Sequence, residues 1–407
     1  MQREDDSPSN RARARGSRSG ASGTRKRPAS GAARPSRHPS WRALSEAGLA
    51  KLREGDHRGA LDFLERALEL PMEPDAPAWI LKHIGDARAA LDENESAIEA
   101  YSRAVKLAPS LAGAWLGLGR VRERAGDLDS AVACYRRATQ LDPLLAVAWN
   151  NLGVAFDRLG RHTDALECFA RASESEPDSP EVWFNRGNAC MGLKDEEAAV
   201  ASYKKALQAA PEDPRIWHNL GFAFHRRGQS EAAVGAYRES LRYGAEDAAV
   251  WYNLGNVYLD LGRLPSAAAC YAQALSLDPT DADVWNNLGN CCSMQGIHEE
   301  ALRCYARAVE AQPAAALSWN NLGSTLSRVG HQERAVDCFK EAIRLEEQQA
   351  AFYLNRAIAY ARLGSMDEVL SDLGRAVALN PLLSDLLPTL GPLQTLAEDP
   401  RFQKLIR

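Results

Sequence analysis

"WNNLGVAFDRLGRHTDALECFARASESEPDSPEVW" occupies residues 149–183 and holds the pattern that decides the fold. It begins and ends on a tryptophan, and the second tryptophan opens the same pattern again 34 residues after the first. A leucine and a glycine follow the first tryptophan by three and four residues, and a second glycine comes near the middle. An alanine and an aromatic residue, four apart, then precede a proline. The arrangement continues in both directions along the chain.

Tryptophan returns at a fixed step of 34 residues through seven successive units, and Tyr353 continues the series. The seven are Trp115, Trp149, Trp183, Trp217, Trp251, Trp285 and Trp319. The leucine, glycine, alanine, second aromatic residue and proline keep the same step in most units. A length of 407 residues would otherwise suggest two or three domains. A period of this length instead indicates a stacked array of repeats.

Each unit is predicted to fold as two short helices. In the quoted unit, Trp149, Leu152 and Phe156 have the spacing of one apolar helical stripe. Gly160 ends the first helix, and the closing proline stops the second helix before the next unit begins. We expect Gly153 to face the small alanine of the second helix, so that the two helices approach closely.

This pattern resembles the tetratricopeptide repeat, whose period and W-x-x-L-G…A-x-x-x-F…P residues it matches almost position for position. The resemblance covers about five-sixths of the chain. It implies an all-α fold, a right-handed α-solenoid of about ten helix-turn-helix repeats with a C-terminal capping helix. The predicted division is a disordered tail (1–40), a degenerate repeat one (41–77), regular repeats two to ten (78–383) and a cap (384–407). Repeats two to ten are 78–111, 112–145, 146–179, 180–213, 214–247, 248–281, 282–315, 316–349 and 350–383.

Several units depart from the pattern without changing the architecture. Arg186 in repeat five and Arg356 in repeat ten stand where leucine is expected, and Ala245 in repeat six replaces the closing proline. In the cap, two prolines are expected to interrupt a leucine-rich segment. Asp399 is then predicted to cap a last helical turn that has Pro400 at its first position.

The charge of the chain is unevenly placed. Residues 1–40 contain ten Lys or Arg and three acidic residues, a net +7; since the whole chain carries −5, the remainder carries −12. The basic tail has too few bulky apolar residues to offset its ordering entropy, so we predict disorder. It is either a solubilising tail or a segment that attracts anionic partners. A nucleic-acid partner is an alternative for this tail alone, and would show steep salt dependence lost on deleting it.

The eight cysteines and the absence of a signal-like or membrane-spanning apolar run favour a cytoplasmic protein. Five cysteines fall at one repeat position, and no C-x-x-C pair of the kind found in zinc or redox sites occurs. We therefore interpret them as small buried residues in a reducing compartment. No metal and no cofactor is predicted. The sequence also lacks the usual nucleotide-binding, zinc-protease and serine-hydrolase motifs, so no catalytic residue is predicted.

Asparagine stands at the sixth position of seven consecutive repeats, although it is a poor helix former. The resemblance implies that the first helices line a concave groove, along which these residues form what we call the asparagine ladder. The ladder consists of Asn151, Asn185, Asn219, Asn253, Asn287, Asn321 and Asn355. Neighbouring groove positions add Asn150, Asn188, Asn256 and Asn290, the aromatic residues Phe184, Phe222 and Tyr252, and a basic patch of Arg215, His218, His225 and Arg226.

An amide side chain can bind both groups of a peptide unit, because it offers a carbonyl acceptor and an NH₂ donor. Packed helices lie roughly 8–10 Å apart, and three residues of extended chain advance by about the same distance. The ladder is therefore predicted to hold the backbone of an extended segment from one or more partner proteins. The alternative is that duplication has copied the asparagines and that neighbouring repeats or water satisfy them.

The asparagine-rich groove resembles the substrate-binding arm of O-linked N-acetylglucosamine transferase, which is non-catalytic by itself. The residues outside the repeats are too few for a nucleotide-sugar domain. The favoured function is thus a protein-binding scaffold or adaptor. The alternative is a substrate-recognition or accessory subunit of a separate enzyme, such as a protein glycosyltransferase.

Overall fold

The computed structural model describes residues 40–406, so the predicted tail at residues 1–40 lies outside the described residues except for Ser40. Twenty helices follow one another in consecutive pairs, and the two helices of each pair pack together. The first helices are α1 Trp41–Arg53, α3 Ala76–Ala90, α5 Ala112–Arg124, α7 Ala146–Arg158, α9 Pro180–Gly192, α11 Pro214–Arg226, α13 Ala248–Asp260, α15 Ala282–Met294, α17 Ala316–Arg328 and α19 Ala350–Leu363. The second helices are α2 His57–Leu68, α4 Asn94–Leu107, α6 Leu128–Leu141, α8 His162–Ser175, α10 Glu196–Ala209, α12 Ser230–Arg242, α14 Leu264–Leu277, α16 His298–Ala311, α18 Gln332–Leu345 and α20 Met366–Leu379. The predicted all-α solenoid is confirmed.

The C-terminal segment that follows α20 is broken into short pieces. It consists of α21 (Leu383–Leu386), 3-10 turns at Leu387–Thr389 and Gly391–Leu396, and α22 (Pro400–Leu405). The two prolines lie inside the 3-10 turns, as expected for residues that interrupt a helix. The Asp399 carboxylate accepts a hydrogen bond from the backbone N–H of Arg401 at 2.8 Å, which is the predicted cap. Phe402 is fully buried against the last pair of helices.

The turn between the two helices of a pair uses a left-handed residue. Gly160 has φ 72° and Gly262 has φ 67°, values that glycine adopts without steric cost. In repeats two and five the same turn is made by Asp92 (φ 59°) and Lys194 (φ 60°), which are unusual in this region. An aspartate then caps several second helices; Asp127, for example, accepts from the backbone N–H of Ser130.

The glycine after each first-helix leucine makes room for an aromatic ring. A Cβ atom built on Gly255 would lie 2.7 Å from Cε1 of Tyr271, and one on Gly153 would lie 2.6 Å from Cε1 of Phe169. The expectation that this glycine faces the small alanine of the second helix holds only in part, since the alanine backbone oxygen is among the nearest atoms at Gly48 (Ala60, 3.3 Å) and Gly323 (Ala335, 3.1 Å). The aromatic residue four positions beyond that alanine is the one that lies against the glycine and fills the space between the helices.

Gly255→Ala is expected to destabilise the protein by about 1–3 kcal/mol, because the added methyl group must displace the buried Tyr271 ring. Gly235→Ala is the matched control. Gly235 lies on the exposed face of α12 with no atom within 4 Å of an added Cβ, so this change should stabilise the helix by up to ~1 kcal/mol. Urea unfolding followed by circular dichroism measures both changes. Equal midpoints for the two variants would show that the close approach is not required.

In six repeats a hydrogen bond from the tryptophan indole links the first helix to the turn that precedes it. Nε1 of Trp217 donates to the carbonyl oxygen of Pro211 at 2.7 Å, and five other tryptophans make the same bond to a proline six residues earlier. Trp251 follows Ala245, the residue that replaces the proline, and no partner for its indole occurs within the described part of the chain. The proline thus positions the carbonyl that fixes the next helix.

The two arginines at leucine positions find different partners. Arg356 forms two hydrogen bonds, of 2.7 and 2.8 Å, with the carboxylate of Asp372 on α20, and Asp372 is only 5% exposed. The Arg186 guanidinium instead lies 5.0 Å from the Trp183 ring centroid, and the Lys205 ammonium lies 4.1 Å from the same centroid. Arg356 thus keeps its charge paired inside the helix pair, whereas Arg186 keeps its charge against an aromatic face.

Candidate peptide-binding groove

The first helices line the inner side of the array. Each second helix packs between the first helix of its own repeat and the first helix of the next. In addition, first helices of neighbouring repeats contact one another, as α7 does with α9 and α9 with α11. In a curved array of repeats, helices that contact the equivalent helices of neighbouring repeats lie on the inner, more tightly curved side. The asparagine ladder lies on these first helices, where neighbouring repeats contact one another.

Six of the seven ladder asparagines are hydrogen-bonded to the preceding repeat through their amide nitrogens; Asn151 is the exception in the described chain, since Leu116 and Arg120 stand at the fifth and ninth positions of the repeat before it. Nδ2 of Asn185 donates to Oδ1 of Asn150 at 3.0 Å, and Nδ2 of Asn355 donates to Oδ1 of Asn320 at 2.9 Å. The others donate to the fifth or ninth position of the preceding repeat: Asn219 to Asn188 (2.8 Å), Asn253 to His218 (3.0 Å), Asn287 to Tyr252 and Asn256 (both 3.4 Å), and Asn321 to Asn286 (3.1 Å) and Asn290 (3.4 Å).

These bonds leave the ladder carbonyls unused. Within residues 40–406 no group donates a hydrogen bond to Oδ1 of any ladder asparagine, and none of these atoms is buried without a partner. Asn185, Asn219, Asn253 and Asn355 also keep a second N–H, since each of them has a single acceptor in the preceding repeat. The structure thus differs from a ladder of free amides: the neighbouring repeats hold six of the seven amides in one orientation.

Tyrosines of the second helices donate hydrogen bonds to three of the asparagines at the ninth position of a repeat. Hydroxyl groups of Tyr203, Tyr271 and Tyr305 donate to Oδ1 of Asn188, Asn256 and Asn290 at 2.7–2.8 Å. Sequence reasoning missed these tyrosines as groove residues, because the same position reads as core. The available signal was that tyrosine at this position occurs with asparagine at the ninth position of the same repeat. In the repeats that have Phe169 or Phe339 instead of tyrosine, the ninth residue is valine or serine.

The predicted aromatic residues lie on three adjacent first helices. Phe184 and Tyr252 are half-buried, and each ring lies 6.1 Å, centroid to centroid, from the tyrosine of its own second helix. Phe222 is 41% exposed. These side chains supply an apolar surface in the middle of the groove, in repeats five to seven.

The predicted basic patch is accompanied by carboxylates. Arg215 binds Asp213 at 2.8 Å and Glu181 at 3.4 Å, and its guanidinium also lies over the Phe184 ring. Arg226 is 3.5 Å from Glu196, and His225 lies 2.7 Å from Asp260. Burial lowers the pKa of His218, which favours its neutral form. The two arginines and His225 of the predicted basic patch therefore each have an acidic neighbour.

A cavity of about 480 Å³ lies between repeats two and three, beyond the N-terminal end of the ladder. Gly117 occupies the ladder position there, and a Cβ on it would meet the Tyr101 ring at 2.4 Å. Lys82, Arg120 and Arg124 also line it. The glycine leaves room for the Tyr101 ring. A larger cavity, about 1190 Å³, lies instead between α6 and α8 on the other side of the repeats.

All eight cysteines are free and buried. Burial raises the pKa of the Cys134, Cys270 and Cys291 thiols to about 11, and that of Cys168 to about 12. A thiol with such a pKa forms almost no thiolate at neutral pH and is a weak nucleophile.

We expect Ellman's reagent to modify fewer than one thiol per native chain within minutes at pH 8, and all eight in 6 M guanidinium chloride. The second measurement is the control for thiol content. Rapid modification of several cysteines in the native state would contradict the burial of this set.

No metal site or membrane-spanning helix occurs in the described range. No three His, Cys, Asp or Glu side chains between residues 40 and 406 come together as metal ligands would. The same stretch contains no helix with the length and apolar composition needed to cross a membrane.

Comparisons with known proteins converge on one kind of repeat. Models described as tetratricopeptide repeat or TPR repeat match residues 150–214, 202–235, 223–262, 255–296, 280–348 and 320–382. The model for the Cilia and flagella-associated protein 70 C-terminal domain matches residues 9–176. A comparison with curated protein sequences finds no match.

Solved structures with similar folds are distant in sequence. The C-terminal part of a TPR repeat-containing protein from Cytophaga hutchinsonii is 13% identical, with a TM-score of 0.50 over 56% of this chain and 94% of that one. YrrB, described as a TPR protein with an unusual peptide-binding site, is 24% identical (TM-score 0.42; 46% and 96% covered). MamA from Desulfovibrio magneticus RS-1 is 21% identical (TM-score 0.40; 42% and 97% covered).

Proposed function

We propose, on the premise that this chain is a tetratricopeptide repeat protein, that it is a non-catalytic scaffold which binds an extended segment of a partner protein in its groove. The observation that carries the proposal is the row of ladder carbonyls, which have no donor within the described chain. Backbone N–H groups of a bound segment are the donors that fit such a row.

The bonds between repeats support this function because they orient the ladder before a segment arrives. An amide nitrogen that donates to the preceding repeat fixes which way its carbonyl points. Less side-chain entropy is then lost on binding. One hydrogen bond per repeat, each about 0.5–1.5 kcal/mol, would add up along the array with little regard for the side chains of the segment.

The middle of the groove supplies the apolar part of the interaction. Phe184, Phe222 and Tyr252 offer surface for side chains of the segment, and the ion-paired Arg215 and Arg226 form its polar margin. Because these cations already have acidic partners, we expect binding that depends only weakly on salt. That expectation separates a scaffold from a nucleic-acid binder.

The test begins with a random dodecapeptide display library selected on the full chain. Each selected peptide is then measured by fluorescence anisotropy against the chain and against the ladder variant Asn219→Ala/Asn253→Ala/Asn287→Ala. The proposal requires peptides of diverse sequence that the ladder variant binds much more weakly. A selection that yields no peptide, or peptides that bind the variant equally well, overturns it.

A recognition subunit of a separate enzyme, such as a protein glycosyltransferase, is the second proposal. It rests on the resemblance of the asparagine-rich groove to the arm of O-linked N-acetylglucosamine transferase. The distinguishing result would be a transferase activity that copurifies with the full chain and is lost with the ladder variant. We also propose a cytoplasmic location, supported by eight free, buried thiols.

A further inference from the structure

Repeats five, seven and eight share a three-residue node on the inner surface. The second-helix tyrosine and the ladder asparagine of the following repeat both donate to one carbonyl oxygen, that of the ninth-position asparagine. In repeat five, Oδ1 of Asn188 accepts from the Tyr203 hydroxyl and from Nδ2 of Asn219, both at 2.8 Å. The equivalent nodes are Asn256 with Tyr271 and Asn287, and Asn290 with Tyr305 and Asn321.

Repeat six keeps the tyrosine of this node but lacks the acceptor. Phe222 stands at the ninth position in place of asparagine. The Tyr237 side chain is fully buried, and its hydroxyl has no hydrogen-bond partner within the described chain. A Cβ atom built on Gly221 would lie 2.9 Å from the Tyr237 ring, so this ring packs against its glycine as the Tyr271 ring packs against Gly255. The Tyr237 hydroxyl therefore occupies the place from which the equivalent tyrosines donate to the ninth-position asparagines.

The ladder asparagine of the next repeat also loses this acceptor. Asn253 donates instead to Nε2 of His218 at 3.0 Å. The His218 ring lies 5.7 Å, centroid to centroid, from the Tyr237 ring. Tyr237 thus lies beside the groove side chain His218, with a donor that nothing in the described chain uses, and Phe222 occupies the position whose asparagine accepts this hydrogen bond in the neighbouring repeats.

We propose that repeat six is a subsite where a carbonyl oxygen of the bound segment takes the place of the missing asparagine and accepts a hydrogen bond from the Tyr237 hydroxyl. This inference rests on the proposed function and assigns one acceptor of the segment to one repeat. Entry requires the Phe222 ring to turn aside. Because 41% of Phe222 is exposed, the ring has space on the groove side and can pack against the incoming group.

The acceptor is an uncharged amide carbonyl. The surrounding cations are already paired with acids, since Arg215 binds Asp213 and Glu181 and Arg226 binds Glu196. A carboxylate buried against one neutral hydroxyl would lose its hydration without a compensating charge. Burial raises the pKa of Tyr237, so its hydroxyl remains protonated and donates. The carbonyl belongs either to the backbone of the segment or to an Asn or Gln side chain.

Because the Tyr237 hydroxyl has no partner in the described chain, removing it should have opposite effects on the stability of the free protein and on the binding of a segment. A buried donor without an acceptor destabilises the free fold, so removing it should do no harm there. Tyr237→Phe is therefore expected to leave the urea midpoint unchanged or higher. Tyr135→Phe is the matched control at the same position of repeat three, where the hydroxyl donates to Glu123 at 2.7 Å. That variant should lower the midpoint and leave peptide binding unchanged.

The test uses peptides selected from the random dodecapeptide library on the full chain. Tyr237→Phe is expected to weaken their binding about fivefold, the equivalent of ~1 kcal/mol. Phe222→Asn, which restores the node of the neighbouring repeats, should weaken binding to a similar degree and raise the urea midpoint. If Asn or Gln is enriched at one peptide position, and selection on Tyr237→Phe abolishes that enrichment, the acceptor is a side-chain amide. Weaker binding without enrichment assigns the backbone.

Two results overturn the inference and can be told apart. Peptides that depend on the ladder but bind Tyr237→Phe as tightly as the parent refute the subsite and leave the proposed function intact. Failure to obtain ladder-dependent peptides removes both. A urea midpoint that falls in Tyr237→Phe as far as in Tyr135→Phe shows that the hydroxyl is already satisfied in the free protein, and also refutes the subsite.

Discussion

Replacing Asn219, Asn253 and Asn287 together with alanine is expected to weaken binding of selected peptides by on the order of 100-fold. Three hydrogen bonds of about 1 kcal/mol each would be lost, and tenfold in affinity corresponds to 1.4 kcal/mol. The three residues lie in consecutive repeats, so their acceptors address one continuous stretch of the segment. Anisotropy titrations with the same peptides measure the change.

The variant is expected to remain folded with nearly the parent stability. It loses the bonds from these amides to Asn188, His218 and the Tyr252–Asn256 pair. Against that loss, alanine is a better helix former than asparagine by up to ~0.7 kcal/mol at each position. The two effects oppose each other, so circular dichroism should show similar helix content and a small shift in melting temperature.

The control is Arg242→Ala/Gln273→Ala/Glu310→Ala, three exposed positions on the second helices of the same repeats. It leaves the net charge unchanged and removes comparable side-chain atoms from the outer side. We expect parent-like affinity. If this control and the ladder variant weaken binding equally, the inner surface is not the binding site, and the ladder serves only to join neighbouring repeats.

Asp372→Cys is expected to destabilise repeat ten by about 3–5 kcal/mol. The change removes one partner of an ion pair in which Asp372 is 5% exposed, so the Arg356 guanidinium is left partly buried without its carboxylate. Cysteine is the residue that repeats three, four, seven, eight and nine carry at this position, so the new side chain fits the packing of the fold. Hydrogen exchange in α19 and α20 reports the local loss of stability.

The double variant Arg356→Leu/Asp372→Cys tests the cause. It gives repeat ten the leucine and cysteine of the regular units and removes both charges together. Replacing a buried ion pair with well-packed apolar residues is often neutral or stabilising. We therefore expect exchange protection near or above the parent level. A double variant as unstable as the single one would show that the carboxylate is needed for something other than its arginine.

The sequence predicts the helices and their register because tryptophan, glycine and proline act within one unit. It does not predict the bonds between units. Asn219 meets Asn188 across 31 residues and Asn253 meets His218 across 35, so the partner depends on the angle at which repeats stack. The same limit explains the basic patch: Glu181, which binds Arg215, stands at the same position one repeat earlier. Side-chain length and reach, unlike the period, differ from unit to unit.

The sequence correctly identifies the glycine after each first-helix leucine as a close-approach position, but not the aromatic ring that lies nearest to it. Spacing identifies Gly255 as a close-approach position, yet alanine at 267 and tyrosine at 271 share one face of α14, and only packing decides which of them meets the glycine. Tyr237 is a case in which the periodic pattern is kept but the hydrogen-bond partner is lost. It fits the periodic pattern fully, and only the loss of its asparagine in the partner helix sets it apart.

The bonds that join successive ladder asparagines to the preceding repeat also have a mechanical consequence. They lie on the inner side, where first helices meet first helices, so pulling the two ends apart lengthens these bonds early. A segment lying across several rungs would resist that extension. In the proposed complex, tension on the chain and occupancy of the groove would therefore oppose each other: stretching the array would release the segment, and a bound segment would stiffen the array.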